Sequence, residues 1–153
     1  MDDNASQSTT LSPVSGLIKL LRPKQWVKNG FVLAPLIFTG AFADRSAVYL
    51  ALIATLLFCV ASSATYIVND LRDIERDRRH PKKSKTRPLA SGAVSPRSAL
   101  VLLGTLYAIL IAGWWVEPRV ILVIAGYLAL NVAYTFILKH QPVIDIFSIA
   151  LGF

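Results

Sequence analysis

Long apolar runs alternate with short, densely charged ones along this chain. The apolar runs are residues 30–42, 47–68, 98–116, 120–138 and 142–153. A helix rises about 1.5 Å per residue, so the second, third and fourth runs each approach the length needed to cross a hydrocarbon core about 30 Å thick. Within lipid every backbone polar group needs an internal partner, which for long uninterrupted runs means helices. The pattern predicts an all-α fold, a polytopic bundle of transmembrane helices.

The first and last apolar runs differ from the others. Residues 30–42 are too few to cross the membrane, so we expect the first helix to begin near Gln25 or Trp26 and to carry Lys28 and Asn29 in its first turns. The last run stops at Phe153 within an apolar stretch. We therefore predict four spans and the start of a fifth.

The composition supports a membrane protein. Of the 153 residues, 54% are hydrophobic and 16% are charged, and the mean hydropathy is +0.54. A soluble domain of ordinary composition carries about 25% charged residues. The sequence pI is near 9.9, but we exclude nucleic-acid binding because the basic residues follow the predicted membrane topology.

The basic residues are distributed very unevenly between the two sides of the predicted bundle. With the N-terminus cytoplasmic, all 16 Lys and Arg residues except Arg45 and Arg119 lie on the cytoplasmic side, as the positive-inside rule requires. Residues 1–16 lack the basic and apolar regions of a signal peptide and are predicted to be a disordered polar tail. Residues 17–153 are predicted to form part of a membrane-embedded domain, with a cytoplasmic loop at 69–97.

One helix face at the end of the second apolar run carries an amide and three carboxylates. At 100° per residue, four side chains fall within an arc of about 100°: Asn69, Asp70, Asp73 and Asp77. Glu75 points elsewhere. Like charges near a low-dielectric region repel each other, and a divalent cation removes that cost. Such oxygen ligands suit Mg²⁺. The alternative is a solvated helix end at which Arg72 and Arg76 neutralise the acids.

A basic segment follows directly after these acids. Its cations are Lys82, Lys83, Lys85 and Arg87, of which we expect Lys83 and Arg87 to bind phosphate groups. Lys28 and Lys139 are predicted to reach the same cytoplasmic surface and to bind substrate there. The alternative is that the segment attracts anionic lipid, worth about 1 kcal/mol per residue.

Several stretches of the chain resemble a known family. The motif NDLRDIERD at 69–77 is similar to the NDxxDxxxD pattern of UbiA-type intramembrane prenyltransferases. Three stretches resemble one branch of it, the polyprenyl-phosphate phosphoribosyltransferases of actinobacterial cell-wall synthesis. They are LRPKQWVKN at 21–29, TYIVNDLRDIERDRRHPKKSKTRPLASG at 65–92 and LKHQPVID at 138–145.

The resemblance implies a reaction and a set of roles. The reaction is Mg²⁺-dependent transfer of the 5-phosphoribosyl group from phosphoribosyl diphosphate to decaprenyl phosphate, for arabinan precursor synthesis at the bacterial inner membrane. It implies that Asn69, Asp73 and Asp77 are catalytic and that these three, with Asp70, bind the metal. Tyr66 is expected to contact the donor. Tyr134 and Lys139 resemble a substrate-binding Tyr/Lys pair of the family, although the gap between them is one residue longer here.

The sequence also departs from the family pattern. Full-length members have about nine helices and a second acidic motif, whereas the only late acidic residue here is Asp145. We therefore expect an N-terminal portion of a longer enzyme, inactive by itself. Self-association is left open.

Two other functions stay open at this stage. An aromatic or quinone-pathway prenyltransferase would use the same acidic motif on a prenyl diphosphate, although the basic segment and KQWVKN argue against it. A membrane transporter or assembly subunit without enzymatic activity would use the acids as an ion site. An assay of which donor, if any, transfers its group distinguishes these functions.

Overall fold

The computed structural model describes residues 12–136, and within them it contains helices and turns but no strand. The all-α prediction is confirmed for this part of the chain. Seven α-helices follow in order: α1 (Pro13–Leu21), α2 (Ala34–Thr39), α3 (Arg45–Arg72), α4 (Ile74–Arg78), α5 (Lys83–Thr86), α6 (Pro96–Gly113) and α7 (Pro118–Phe136). Segments of 3₁₀ helix cover Pro23–Leu33 and Ala41–Ala43.

The long helices begin at side-chain caps. Asp44 Oδ1 accepts hydrogen bonds from the backbone N–H groups of Ser46 (2.9 Å) and Ala47 (3.3 Å), which satisfies the first turn of α3. Ser95 Oγ accepts from the N–H of Ser98 (3.1 Å) at the start of α6. The sequence therefore sets both helix starts within a few residues of the apolar runs that follow them.

Two described helices are long and apolar enough to cross a membrane, α3 and α6. α7 is apolar too, but its stretch Pro118–Tyr134 is shorter. These helices correspond to the predicted spans at 47–68, 98–116 and 120–138. Residues 137–138 and the predicted fifth span lie outside the described residues.

The predicted first span is wrong as a continuous helix. The chain instead forms a 3₁₀ helix over Pro23–Leu33, then α2, and a second 3₁₀ turn over Ala41–Ala43. Gly40 ends α2 with a left-handed φ of 66°, a conformation in which glycine carries no Cβ penalty. In this short apolar run, the turn at Gly40 and the hydrogen bonds to α3 described below favour separate short segments over one continuous helix.

α3 is the central helix, and it packs against α1, α6, α7 and the 3₁₀ segment Pro23–Leu33. Leu57 and Ala61 of α3 meet Leu110 of α6 and Ile124 of α7 in one buried cluster. A second cluster lies toward the acidic motif. It contains Leu20, Ala64, Ile67, Leu89, Val94, Ala99 and Leu106.

The second cluster anchors helix α1 and the stretch that follows the basic segment. Leu89 and Val94, from the stretch after the basic segment, are 2% and 4% exposed, so this stretch is fixed to the helical core. α1 begins at Pro13, inside the predicted 1–16 tail. Its Gly16 is buried so closely on Val94 that a Cβ at this position would lie 2.6 Å from Val94 Cγ2. α1 is therefore a packed element, although a short one.

Many large apolar side chains lie on the outer surface. Phe38, Val27 and Trp115 are 88%, 81% and 78% exposed. In water such a surface would associate, whereas lipid tails cover it without cost. The exposed apolar surface agrees with membrane-capable helices.

Candidate functional site

The acidic motif lies where α3 ends. Asp73 follows α3 with φ −95° and ψ 8°, outside the α-helical region, and α4 begins at the next residue. The N–H of Asp73 donates to the Asn69 carbonyl (3.0 Å), and the N–H of Asp77 donates to the Asp73 carbonyl (2.8 Å). The prediction of one continuous helix through the motif is therefore wrong at Asp73. Aspartate side chains compete with helical hydrogen bonding and favour helix ends.

Burial separates the acidic residues into two kinds. Asp70 and Asp77 are 3% and 1% exposed. Asp73 is partly exposed, and Glu75 is exposed and pairs with Arg78 at 3.0 Å. Glu75 thus points away from the aspartates, as the helical spacing predicted.

Cations from two distant parts of the chain neutralise the two buried carboxylates. Arg22 Nη2 lies 2.7 Å from Asp70 Oδ1, and Arg87 Nη1 lies 2.9 Å from the same oxygen. Arg87 Nη1 also lies 2.5 Å from Asp77 Oδ2. Lys83 Nζ lies 3.5 Å from Asp77 Oδ1. Arg87 therefore joins the two carboxylates.

Among the three aspartates of the motif, Asp73 is the one neutralised by a residue close to it in the sequence. Its carboxylate forms an ion pair with Arg76, three residues later on the exposed side. Asp70 and Asp77 take their partners from the end of α1 and from the basic segment instead. The alternative of a simple solvated helix end is therefore insufficient for the buried acids.

One open pocket gathers most of these groups. Its volume is about 200 Å³, and it is lined by Arg22, Tyr66, Asn69, Asp70, Arg72, Asp73, Arg87 and Tyr134. Three guanidinium groups, two carboxylates, an amide and two phenols thus face one space. Guanidinium groups bind phosphate oxygens, and carboxylate and amide oxygens bind hard divalent cations. The pocket can hold an anion and a cation side by side.

Some of the predicted site residues line this pocket and others do not. Tyr66 and Tyr134, predicted from separate helices, both line it. Asp77 and Lys83 do not line it; Asp77 pairs with Arg87, and Lys83 lies 3.5 Å from Asp77. Lys28 is exposed on the segment Pro23–Leu33 and does not line the pocket either. Lys139 lies outside the described residues.

The sequence analysis missed Arg22. This residue ends α1 with a left-handed φ of 52°, and its guanidinium lies over the Tyr66 ring, 4.5 Å from the ring centroid. A cation at this distance is attracted by the aromatic ring. Arg22 lies inside the LRPKQWVKN stretch, directly before Pro23, so the available signal was a basic residue whose backbone a proline restricts.

Two further residues of the same stretch fix it to α3. Trp26 Nε1 donates to Ser63 Oγ at 3.0 Å, and Asn29 Nδ2 donates to Ser62 Oγ at 3.0 Å. Ser63 Oγ in turn donates to the carbonyl oxygen of Leu21 at 2.8 Å. The adjacent serines at 62 and 63 within the long apolar run were the signal for this contact.

The donor set of the pocket fits Mg²⁺. Among residues 12–136, no three His, Cys, Asp or Glu side chains come close enough to form a metal site by themselves. The pocket supplies the carboxylates of Asp70 and Asp73 and the amide of Asn69. Mg²⁺ commonly binds through one or two carboxylates and takes its other ligands from water and substrate phosphates. All four predicted metal ligands stay predictions, and Asp77 differs from Asn69, Asp70 and Asp73 because it does not line the pocket.

Comparison with known proteins gives the family. Residues 32–153 match the UbiA prenyltransferase family. Relatives named decaprenyl-phosphate phosphoribosyltransferase are 45% identical over 147 residues in Mycolicibacterium smegmatis and 42% identical over 159 residues in Corynebacterium glutamicum. These alignments cover 92% and 100% of this chain but 45% and 47% of the relatives. The relative of that name in Mycobacterium tuberculosis is 43% identical over 138 residues, which are 87% of this chain and 45% of the relative.

The chain spans about half the length of the curated relatives it matches. The family match itself covers well over half of this chain. The acidic motif that resembled the family lies within the matched residues, and its Asn69, Asp70 and Asp73 line the pocket. This chain belongs to the UbiA prenyltransferase family.

Proposed function

We propose that this chain takes part in the Mg²⁺-dependent transfer of the 5-phosphoribosyl group from phosphoribosyl diphosphate to a polyprenyl phosphate. The observation that carries the proposal is the single pocket in which three arginines meet two carboxylates. A donor with a diphosphate and a separate 5-phosphate requires both kinds of group. The relatives at 42–45% identity are named for phosphoribosyl transfer to decaprenyl phosphate, which supports the choice of donor and acceptor.

Two arginines of the pocket would bind the donor's phosphates. Arg72 and Arg87 present planar guanidinium groups, which form paired hydrogen bonds with phosphate oxygens. Mg²⁺, when bound by Asn69, Asp70 and Asp73, would neutralise charge on the diphosphate. Tyr66 and Tyr134, whose hydroxyl groups can donate hydrogen bonds, would orient the ribose or a phosphate.

The reaction needs little proton transfer from the protein. The bond between ribose C1 and the diphosphate oxygen breaks, and its electron pair leaves with the diphosphate. A phosphate oxygen of the acceptor, already an anion, forms the new bond to C1. The chain's residues would therefore contribute mainly by holding the two reactants in line and by stabilising the leaving charge.

The acceptor and the location follow from the membrane character of the chain. A polyprenyl tail is soluble in lipid, and the pocket lies at the end of α3, one of the two membrane-capable helices. We infer that this end faces the cytoplasm of the cell, because the basic residues concentrate there, and that the product serves cell-wall synthesis.

Transfer of a labelled group tests the proposed function. Membranes containing the full-length gene product are incubated with phosphoribosyl diphosphate labelled in the ribose, polyprenyl phosphate and Mg²⁺. We expect the label in the lipid fraction, and much less of it at the same Mg²⁺ concentration with membranes carrying Asp73→Asn. Transfer only from a prenyl diphosphate to an aromatic acceptor would replace this function with a prenyltransferase activity. No transfer from either donor would favour a non-enzymatic role.

A further inference from the structure

The two buried carboxylates each have two cationic neighbours, and one cation is shared. Asp70 Oδ1 is bonded to Arg22 (2.7 Å) and to Arg87 (2.9 Å). Asp77 is bonded to Arg87 (2.5 Å) and has Lys83 at 3.5 Å. If Arg87 moves away, each carboxylate still keeps one cation of its own.

This redundancy matters because the carboxylates are buried. The side chains of Asp70 and Asp77 are 4% and 1% exposed. Leaving either without a partner would place an uncompensated charge in a region of low dielectric, which strongly opposes any such movement. Arg22 and Lys83 lower that barrier, since pairs Arg22–Asp70 and Lys83–Asp77 remain electrically neutral.

Asp77 has an unused position for Lys83. Its Oδ1 is buried and accepts no hydrogen bond from the described residues. The Lys83 ammonium, at 3.5 Å from this oxygen, needs only a small movement to donate to it. The lysine side chain is long, flexible and 38% exposed, so it can make that shift by a change of rotamer.

Arg22 has a contact besides its ion pair with Asp70. Its guanidinium also stacks on the Tyr66 ring at 4.5 Å, and its backbone ends α1 in a left-handed conformation. The guanidinium of Arg87, by contrast, makes both of its ion pairs with the two carboxylates, and it lines the open pocket.

We propose that Arg22 and Lys83 are positioning residues that keep Asp70 and Asp77 paired while Arg87 leaves them to bind a phosphate group in the pocket. Arg87 then carries a full positive charge to the ligand instead of dividing it between two carboxylates. The proposal deepens the proposed function, because it assigns separate tasks to the basic residues. It requires only that a diphosphate enters the pocket.

A double-mutant cycle on Arg22 and Asp70 tests this proposal. Binding of inorganic diphosphate to the purified protein in detergent is measured by calorimetry with EDTA present, so that a metal role of Asp70 does not contribute. Arg22→Gln should raise the dissociation constant about ten- to a hundredfold, since Arg87 must then remain on Asp70. In the Asp70→Asn background the same change should have less than a threefold effect, because position 70 then carries no charge to retain Arg87, and Asp77 keeps Lys83 as its cation when Arg87 leaves.

The outcomes distinguish an indirect role from direct contact. Equal losses from Arg22→Gln in both backgrounds would mean that Arg22 binds the diphosphate itself, and would overturn the proposal. So would undetectable diphosphate binding by the unmodified protein. Arg22→Lys should keep most of the affinity, and Lys19→Gln, an exposed cation of the same helix, should keep all of it. The measurement needs no transfer activity, so its result is independent of the labelled-donor assay.

Discussion

The substitution Asp73→Asn removes one of the two carboxylates that line the pocket while keeping the side-chain volume. Asp73 is 18% exposed in its side chain, and its partner Arg76 is 58% exposed. Losing an exposed pair of this kind costs at most about 1 kcal/mol of stability, so the protein should still fold. A charge-assisted contact to a bound cation is worth about 1.5–3 kcal/mol. We therefore expect the Mg²⁺ concentration for half-maximal transfer to rise about ten- to a hundredfold.

The assay is phosphoribosyl transfer at a series of Mg²⁺ concentrations with both substrates saturating. Glu75→Gln is the matched control, since it removes the same charge two residues later from a side chain that is 75% exposed and pairs only locally with Arg78. Its half-maximal Mg²⁺ concentration should stay within about twofold of the unmodified protein.

Two results would refute the reasoning. Comparable shifts for Asp73→Asn and Glu75→Gln would mean that net charge near the membrane, and not the pocket, controls the metal. A loss at Asp73 that no Mg²⁺ concentration restores, together with a lowered unfolding temperature, would mean that the residue acts structurally. Asp77→Asn gives a further contrast, because its carboxylate is bound to Arg87. We expect it to change the KM of the donor more than the Mg²⁺ requirement.

Three further predictions concern packing and the metal. Gly16→Ala should lower the unfolding temperature, because its Cβ would lie 2.6 Å from Val94 Cγ2 and overpacking costs about 1–3 kcal/mol; Gly126→Ala, with open space around its Cβ, should not lower it. Leu89→Ala should cost about 2–5 kcal/mol in thermal or denaturant unfolding, and the exposed Leu100→Ala should cost far less. EDTA should abolish transfer and added Mg²⁺ should restore it, so transfer that persists in EDTA would contradict a metal-dependent reaction.

The elements that the sequence predicted best are those governed by one strong constraint. α3, α6 and α7 lie over long uncharged runs, and in lipid such runs have few alternatives to a helix. The 3₁₀ segment Pro23–Leu33 has no such constraint. Hydrogen bonds from Trp26 and Asn29 to serines of α3 hold this segment in place. Those contacts join residues more than thirty positions apart, and helical periodicity does not predict contacts over such a separation.

The residues of the candidate site also differ in whether a local constraint determines their position. Helical spacing correctly brought Asn69, Asp70 and Asp73 to one pocket, because it needs only the geometry of a single helix. It placed Asp77 with them, whereas the break after α3 accompanies a buried contact of Asp77 with Arg87. Helical spacing does not predict this contact, because the cation that the Asp77 side chain binds lies ten residues further along the chain.

Ion pairing in this motif follows exposure. The pairs that sequence spacing can find, Asp73 with Arg76 and Glu75 with Arg78, are three residues apart and lie on the exposed side. Water screens such acids whether or not they are paired. A buried carboxylate must be paired, and Asp70 obtains Arg22 from 48 positions away. Near a membrane boundary, an acid that helical spacing turns toward the bundle therefore predicts a cation from another segment, and basic residues beside prolines, such as Arg22 and Arg87, are the first ones to examine.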